Sequence, residues 1–160
     1  MQGLVEELSG LLRERSKMLV TAESCTGGLV AGAITELAGS STVFERGYVT
    51  YSNEAKQELL GVTADTLDQF GAVSNETAEE MAQGALKNSH ADIALSITGI
   101  AGPGGGSLEK PVGTVSFGWC LKGQEPASET QLFKGARAEI RDAAVKHALT
   151  LAIKALKDHS

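Results

Sequence analysis

The sequence contains few of the residues that mark metal-binding, disulfide-bonded or nucleic-acid-binding proteins. It has two cysteines, three histidines and one tryptophan, and acidic residues outnumber basic ones by 20 to 14. Cys25 and Cys120 show no C-x-x-C or Cys/His spacing, which excludes a recognisable zinc motif and is typical of a reducing compartment. The net charge of −6 is not the basic balance expected of a nucleic-acid-binding domain.

Long apolar runs and a signal-peptide core are also missing. No stretch reaches the roughly 18 apolar residues that a membrane-spanning helix needs, and the first residues are acidic. We therefore expect a cytoplasmic protein with neither a nucleic-acid partner nor a membrane partner. Its length predicts one domain over residues 1–160.

Glycine, by contrast, is abundant, with 19 residues, so many backbone positions turn sharply or approach another chain segment closely. Apolar periodicity predicts helices over residues 2–15, 26–37, 63–70 and 137–157, a short helix that carries Lys56 and is capped by Asn53, and one that begins at Ser74 or Asn75. It predicts strands over residues 17–23, 43–52 with an interruption at Gly47, 93–97, 112–121 and 129–133.

The alternation of helices and strands, followed by a hairpin, predicts the fold class. We expect an α/β protein, a three-layer α/β/α domain with a mixed, mostly parallel sheet of about five strands. In such folds the loops that leave the carboxyl ends of the strands form the ligand crevice.

Ser24 lies where the first predicted strand gives way to a helix that opens with Gly27 and Gly28. A hydroxyl at such a turn lies beside unpaired backbone N–H groups, and it suits either a nucleophile or an anion site. The histidines offer it no base, because His90 ends a helix, His147 lies within one, and His159 is next to last. A Ser-His-Asp triad and the G-x-S-x-G elbow are therefore not indicated.

Lysine is the remaining base type, and Lys56 follows a strand at the opening of a helix. Desolvation there would lower its pKa into the range of a proton acceptor, although a solvated surface lysine explains the same sequence. Cys25 is an alternative nucleophile or a small core residue, and Glu23 either aligns Lys56 or satisfies helix-end donors. Residues 102–106 either cradle a phosphate or form a crossover loop. Phe117 and Trp119 alternate on one strand face, where core packing is the simpler interpretation.

Several motifs together resemble one protein family along nearly the whole chain. They are AESCTGG at residues 22–28, YSN at 51–53 followed by Lys56, GAVS at 71–74, SITGIAGPGG at 96–105, KPVG at 110–113, and Phe133 through Arg137 to Arg141. In this order they resemble the CinA C-terminal domain family, which comprises nicotinamide-nucleotide amidohydrolases. These convert nicotinamide mononucleotide to nicotinic acid mononucleotide and ammonia in pyridine-nucleotide recycling.

The resemblance implies a role for individual residues. Ser24 would be the nucleophile and Lys56 the general base of a Ser/Lys amidohydrolase that needs neither metal nor cofactor, with the amides of Thr26, Gly27 and Gly28 facing the oxyanion. The substrate would be surrounded by Tyr51, Asn53, Thr98, Gly99, Gly102 and Arg137.

Arg137 is expected to hold the phosphate, with Arg141 and Lys134 as further candidates. Glu23 and Arg141 are the weaker site residues. A homodimer or homotrimer is expected, and the alternative function is a non-catalytic module that senses a nucleotide or serves as a competence- or damage-inducible accessory.

Overall fold

The computed structural model describes residues 1–159, which form six α-helices, a short 3-10 helix and five strands. The helices are α1 Gln2–Glu14, α2 Leu29–Thr35, α3 Asn53–Leu60, α4 Ala64–Phe70, α5 Asn75–Lys87 and α6 Arg137–Asp158. The strands are β1 Leu19–Glu23, β2 Phe44–Val49, β3 Ile93–Gly99, β4 Thr114–Leu121 and β5 Ala127–Leu132, and the 3-10 helix is Ser40–Thr42.

The five strands form one mixed sheet in the order β2-β1-β3-β4-β5. Strand β1 pairs in parallel with both β2 and β3, whereas β4 is antiparallel to both of its neighbours. Only β4 therefore runs against the other four described strands, and the predicted mixed, mostly parallel sheet of about five strands is confirmed.

Helices cover both faces of the sheet, as the three-layer prediction requires. Helices α1, α2 and α6 pack together on one face over a core that includes Leu12, Ile34 and Leu149. Helices α3 and α4 pack against α5 on the other face, where Leu60 and Met81 belong to a second, smaller core. None of the helices within residues 1–159 is long and apolar enough to cross a membrane.

Element bounds differ from the predicted ones by up to three residues, and three of the differences concern particular residues. Strand β2 continues through Gly47, and the irregularity lies just before it, where the register against β1 shifts between the pairs Leu19–Phe44 and Val20–Arg46. Glycine allows a close approach to β1 here, because a Cβ on Gly47 would lie 2.8 Å from Oγ1 of Thr21. Strand β5 begins at Ala127, two residues before the predicted start. The cap of α3 is Ser52, whose hydroxyl accepts a hydrogen bond from the amide of Ala55 at 3.0 Å, so the prediction of Asn53 as the cap is wrong.

Parallel pairing brings the carboxyl ends of β1, β2 and β3 to the same edge of the sheet. Glu23 at the end of β1 lies beside Val49 of β2 and Ile97 of β3. The amide of Ser24 donates to the carbonyl of Ile97 at 2.9 Å, which extends the ladder one residue beyond β1. The segments that follow these strands thus begin side by side, as expected for a ligand crevice in an α/β sheet.

Helices α3 and α5 touch through their backbones at one glycine. A Cβ on Gly84 of α5 would lie 1.8 Å from the carbonyl oxygen of Leu60 at the end of α3. That distance is far inside van der Waals contact, so the spacing of the two helices depends on the missing side chain.

Substitution of Gly84 by alanine should therefore weaken the fold, even though alanine favours helices. We expect Gly84→Ala to lower the free energy of unfolding by about 3 kcal/mol, the upper end of the usual cost of overpacking. The matched control is Gly10→Ala in α1, where the added Cβ meets no atom within 4 Å. That variant should gain about 0.5–1 kcal/mol from reduced chain entropy. Urea unfolding of both variants tests the contrast, and equal stabilities would refute it.

Candidate active site

A cavity of about 220 Å³ opens at the carboxyl edge of the sheet. Seven of the residues selected from the sequence line it, and they are Ser24, Tyr51, Asn53, Lys56, Thr98, Gly99 and Arg137. The remaining lining residues are Cys25, Ala72, Val73 and Ala101. The fold therefore gathers segments that are up to 113 positions apart, from Ser24 to Arg137, into one site.

The Lys56 amine contacts the Ser24 hydroxyl inside this cavity. Nζ of Lys56 lies 3.1 Å from Oγ of Ser24, and it also donates to the carbonyl oxygens of Thr50 at 2.9 Å and Tyr51 at 3.4 Å. The exposed fraction is 1% for Lys56 and 7% for Ser24. The lysine is thus a buried side chain with three uncharged hydrogen-bond partners, and the solvated surface lysine considered above is not what the structure shows.

Burial lowers the pKa of the Lys56 amine from its ordinary value of 10.5. Charge is costly in this setting because the ammonium loses hydration and no carboxylate is among its recorded partners within residues 1–159. The position of Lys56 in the first turn of α3 acts in the same direction, since the positive end of a helix dipole disfavours a cation. The arrangement favours a neutral amine, which can accept a proton.

Cys25 lies next to Ser24, but its thiol is not activated. Burial raises the pKa of the thiol to about 11, although the neighbouring Arg141 and Lys56 charges act to lower it. A thiol that stays protonated near neutral pH is a poor nucleophile. Cys25 also belongs to the larger apolar core, which supports the core interpretation.

The Glu23 carboxylate accepts hydrogen bonds from four donors at the start of α2. Its Oε1 accepts from the Thr26 hydroxyl at 2.6 Å and from the amides of Gly28 and Val30 at 3.2 and 2.9 Å, while Oε2 accepts from the amide of Ala31 at 3.0 Å. Of the two roles considered for Glu23, the structure shows the satisfaction of helix-end donors. A carboxylate in this place also complements the helix dipole.

These bonds change the candidates for oxyanion donors. The amide of Gly28 donates to Glu23, and the amide of Gly27 donates to the carbonyl of Ser24 at 3.0 Å. Two of the three predicted donors, Gly27 and Gly28, are therefore already engaged, and the sequence could not reveal this because it depends on how the turn closes. Within the described chain, the amides of Thr26 and Cys25 have no recorded backbone acceptor.

Tyr51 and Arg137 meet at the rim of the cavity. Tyr51 is 64% exposed, and its hydroxyl accepts from Nη2 of Arg137 at 3.2 Å. Nη1 of Arg137 donates to the carbonyl of Gly102 at 2.7 Å, so Gly102 takes part through its backbone although it does not line the cavity. The Glu139 carboxylate accepts from the Ala136 amide at 2.8 Å, so it is occupied at this end of α6.

Arg141, the other arginine of α6, does not line the cavity. It is partly buried, and it donates from Nε to the carbonyl of Cys25 at 3.0 Å and from Nη2 to that of Thr26 at 3.4 Å. It therefore faces the backbone behind Ser24.

Ala72 and Val73 line the cavity, although the sequence assigned them no role. Ala72 and Val73 lie in the turn between α4 and α5, and the Thr98 hydroxyl donates to the carbonyl of Ala72 at 2.8 Å. The only sequence signal was their place in the GAVS motif, since small apolar side chains carry no chemistry of their own. Residues 1–159 contain no cluster of three or more His, Cys, Asp or Glu side chains placed to hold a metal ion.

Removal of the Glu23 carboxylate should destabilise the protein through the start of α2. Glu23→Ala leaves three amides and a hydroxyl without their acceptor, and a buried unsatisfied donor costs about 1–3 kcal/mol. We expect a total loss of about 3 kcal/mol in the free energy of unfolding, because water satisfies part of the set. Glu23→Gln should fall between wild type and Glu23→Ala, since one amide oxygen can replace Oε1 but not Oε2.

Chemical denaturation of the three proteins measures this order. Glu36→Ala, at the exposed end of the same helix, is the control and should change stability by less than about 0.5 kcal/mol. A Glu23→Ala protein as stable as wild type would contradict the proposed role of the carboxylate.

The chain matches known proteins of one family. Residues 1–156 match the CinA C-terminal domain. The nicotinamide-nucleotide amidohydrolase PncC of Escherichia coli strain K12 is 53% identical over 146 residues, which cover 91% of this chain and 88% of the relative. PncC of Enterobacter agglomerans is 51% identical over 148 residues, covering 92% and 90%.

Longer relatives and solved structures indicate the same family. A CinA-like protein of Kosmotoga olearia is 51% identical, and its match covers 97% of this chain but 37% of the relative. The crystal structure of the competence/damage inducible protein CihA from Agrobacterium tumefaciens superposes with a TM-score of 0.93 at 48% identity, covering 98% of this chain and 94% of that one. The chain therefore belongs to the CinA C-terminal domain family.

Proposed function

We propose that the protein hydrolyses the carboxamide of nicotinamide mononucleotide to nicotinic acid mononucleotide and ammonia, with Ser24 as nucleophile and Lys56 as general base. The observation that carries the proposal is the buried 3.1 Å contact between Nζ of Lys56 and Oγ of Ser24. The names of two relatives that are more than 50% identical over most of the chain support the substrate.

The hydrogen bonds of Lys56 explain how it acts as a base. A neutral amine has two hydrogens and one lone pair, and the carbonyls of Thr50 and Tyr51 take the two hydrogens. The lone pair then faces Oγ of Ser24 and accepts its proton as the oxygen attacks the carboxamide carbon. The same proton passes to the departing nitrogen, so that ammonia leaves and an ester on Ser24 remains. Water, deprotonated by Lys56, cleaves that ester to the carboxylate and restores the serine.

Thr98 orients the carboxamide. Its single hydroxyl hydrogen is used on the carbonyl of Ala72, so towards the cavity its oxygen is an acceptor. It accepts from the NH2 group of the substrate, which turns the substrate carbonyl towards the unpaired amides of Cys25 and Thr26. Asn53, on the same cavity wall as Lys56, supplies a further hydrogen bond.

The remaining parts of the substrate lie towards the rim. The face of Tyr51 suits the positively charged pyridinium ring by cation–π attraction. Arg137 uses two of its five N–H donors on Tyr51 and Gly102, and the remaining three are free to bind the phosphate. A cytoplasmic location fits a substrate of nucleotide metabolism.

Replacement of either member of the dyad should abolish turnover without loss of the fold. We expect Ser24→Ala and Lys56→Met to lower kcat for ammonia release by roughly 10⁴-fold or more, as removal of a nucleophile does in other hydrolases. Lys56→Arg should be equally inactive, because a guanidinium does not give up its proton. Lys154→Met on the exposed side of α6 is the control and should retain full activity.

Coupled measurement of ammonia and chromatographic detection of the acid product decide the matter. Full turnover in both Ser24→Ala and Lys56→Met would refute the dyad. Wild-type protein that binds the mononucleotide but returns it unchanged after long incubation would refute the enzyme and favour a nucleotide sensor or a competence-related accessory module, in keeping with the names of several structural neighbours.

The dependence of activity on pH should follow the lowered pKa of Lys56. The amine must be neutral to accept the Ser24 proton, so kcat/KM falls as pH drops through that pKa and levels off above it. The midpoint should lie below the 10.5 of an ordinary lysine. A profile that still rises up to pH 10.5 would contradict a desolvated base.

A further inference from the structure

The guanidinium of Arg141 is directed at the backbone that follows Ser24. The carboxylates beside it on α6 are occupied elsewhere, since Asp142 pairs with Lys146 at 3.0 Å and Glu139 accepts from the amide of Ala136. Its own recorded bonds go to the carbonyls of Cys25 and Thr26. The bond from Nε to the Cys25 carbonyl is the shorter, at 3.0 Å, and the contact of Nη2 with the Thr26 carbonyl is long, at 3.4 Å, so the first is the stronger of the two.

These contacts determine the direction of an amide. In a trans peptide the C=O and N–H of one unit point in opposite directions, and the only cis bond within the described chain is Gly102–Pro103. Because Arg141 holds the carbonyl of Cys25, the N–H of Thr26 in the same peptide points away from the guanidinium. The carbonyl of Ser24 is held in the same manner by the amide of Gly27, which turns the N–H of Cys25 the opposite way.

Both amides oriented in this way lack a backbone acceptor within residues 1–159, and the Cys25 amide has only the thiol of its own side chain beside it. Thr26 is fully buried and Cys25 is 5% exposed, and buried backbone donors are rarely left unpaired. Unpaired donors directly after a nucleophile are what an oxyanion requires, because they cost no reorganisation when charge develops on the substrate oxygen.

We propose that Arg141 is a positioning residue that directs the Thr26 amide through the Cys25 carbonyl and holds the turn in which the Gly27–Ser24 bond directs the Cys25 amide, so that both amides face the oxyanion, and that it makes no contact with the substrate phosphate. The inference rests on the proposed amidase and adds a residue that acts through the backbone. It predicts a loss in the chemical step, whereas a phosphate ligand would affect binding of the mononucleotide.

The test compares Arg141→Met with Arg137→Met and with Lys154→Met, a control on the exposed face of the same helix. Each is assayed on nicotinamide mononucleotide and on nicotinamide riboside, which lacks the phosphate. We expect Arg141→Met to lower kcat about 10²-fold on both substrates, the usual cost of misplacing a catalytic group by about 1 Å. KM should change less than about twofold, because the contacts that bind the substrate before the reaction are retained.

Further readouts separate positioning from a loss of structure. Arg141→Lys should recover part of kcat, since an ammonium can hold one of the two carbonyls, and the midpoint of the pH profile should stay that of wild type because Lys56 is untouched. Arg137→Met should instead raise KM for the mononucleotide alone. In ¹⁵N–¹H spectra, the amide resonances of Cys25 and Thr26 should move in Arg141→Met and remain in place in Lys154→Met.

Three results would overturn the inference. A rise in KM confined to the mononucleotide would make Arg141 a phosphate ligand, and a fall in kcat that only matches the loss of folded protein would make it structural. Unchanged Cys25 and Thr26 resonances in Arg141→Met would exclude the positioning role whatever the activity. Wild-type protein that releases no ammonia would refute the amidase, while the resonances would still decide whether Arg141 holds the turn.

Discussion

The junction between β1 and α2 depends on a single buried carboxylate. Glu23 is the last residue of the central parallel strand, and its two oxygens accept from three amides and a hydroxyl at the beginning of the next helix. Strand and helix are thereby joined by a closed set of hydrogen bonds across the turn that carries Ser24. The carboxylate also lies at the positive end of α2, which it neutralises.

The hydrogen-bond partners of Lys56 differ in kind from those of Glu23. Glu23 is buried together with enough donors to carry its charge, whereas Lys56 is buried among carbonyl oxygens and a hydroxyl, with no recorded carboxylate partner in the described chain. The Glu23 side chain on β1 is thus surrounded by hydrogen-bond donors, whereas Lys56 on α3 meets only oxygen atoms. Burial in that setting lowers the pKa of the Lys56 amine.

Sequence patterns could predict the sheet and the members of the cavity, because strand periodicity and glycine turns fix which segments leave the carboxyl edge. Ser24, Tyr51, Lys56 and Thr98 follow from that rule together with the family motifs. Of the three amides predicted to face the oxyanion, those of Gly27 and Gly28 each donate to an acceptor within the turn, which the sequence does not show, and that of Thr26 does not. Arg141 was predicted near the phosphate because sequence position gives the helix turn but not the direction of the side chain.

The contact between Gly84 and Leu60 has a consequence for chemistry as well as for packing. Lys56 and Leu60 lie one turn apart on α3, so the depth to which the lysine reaches is set where the end of that helix meets α5. A displacement of α3 by the radius of one methyl group would break the 3.1 Å contact between Nζ of Lys56 and Oγ of Ser24. The spacing of α3 and α5 at Gly84, a residue outside the cavity, therefore controls the contact on which the proposed base depends.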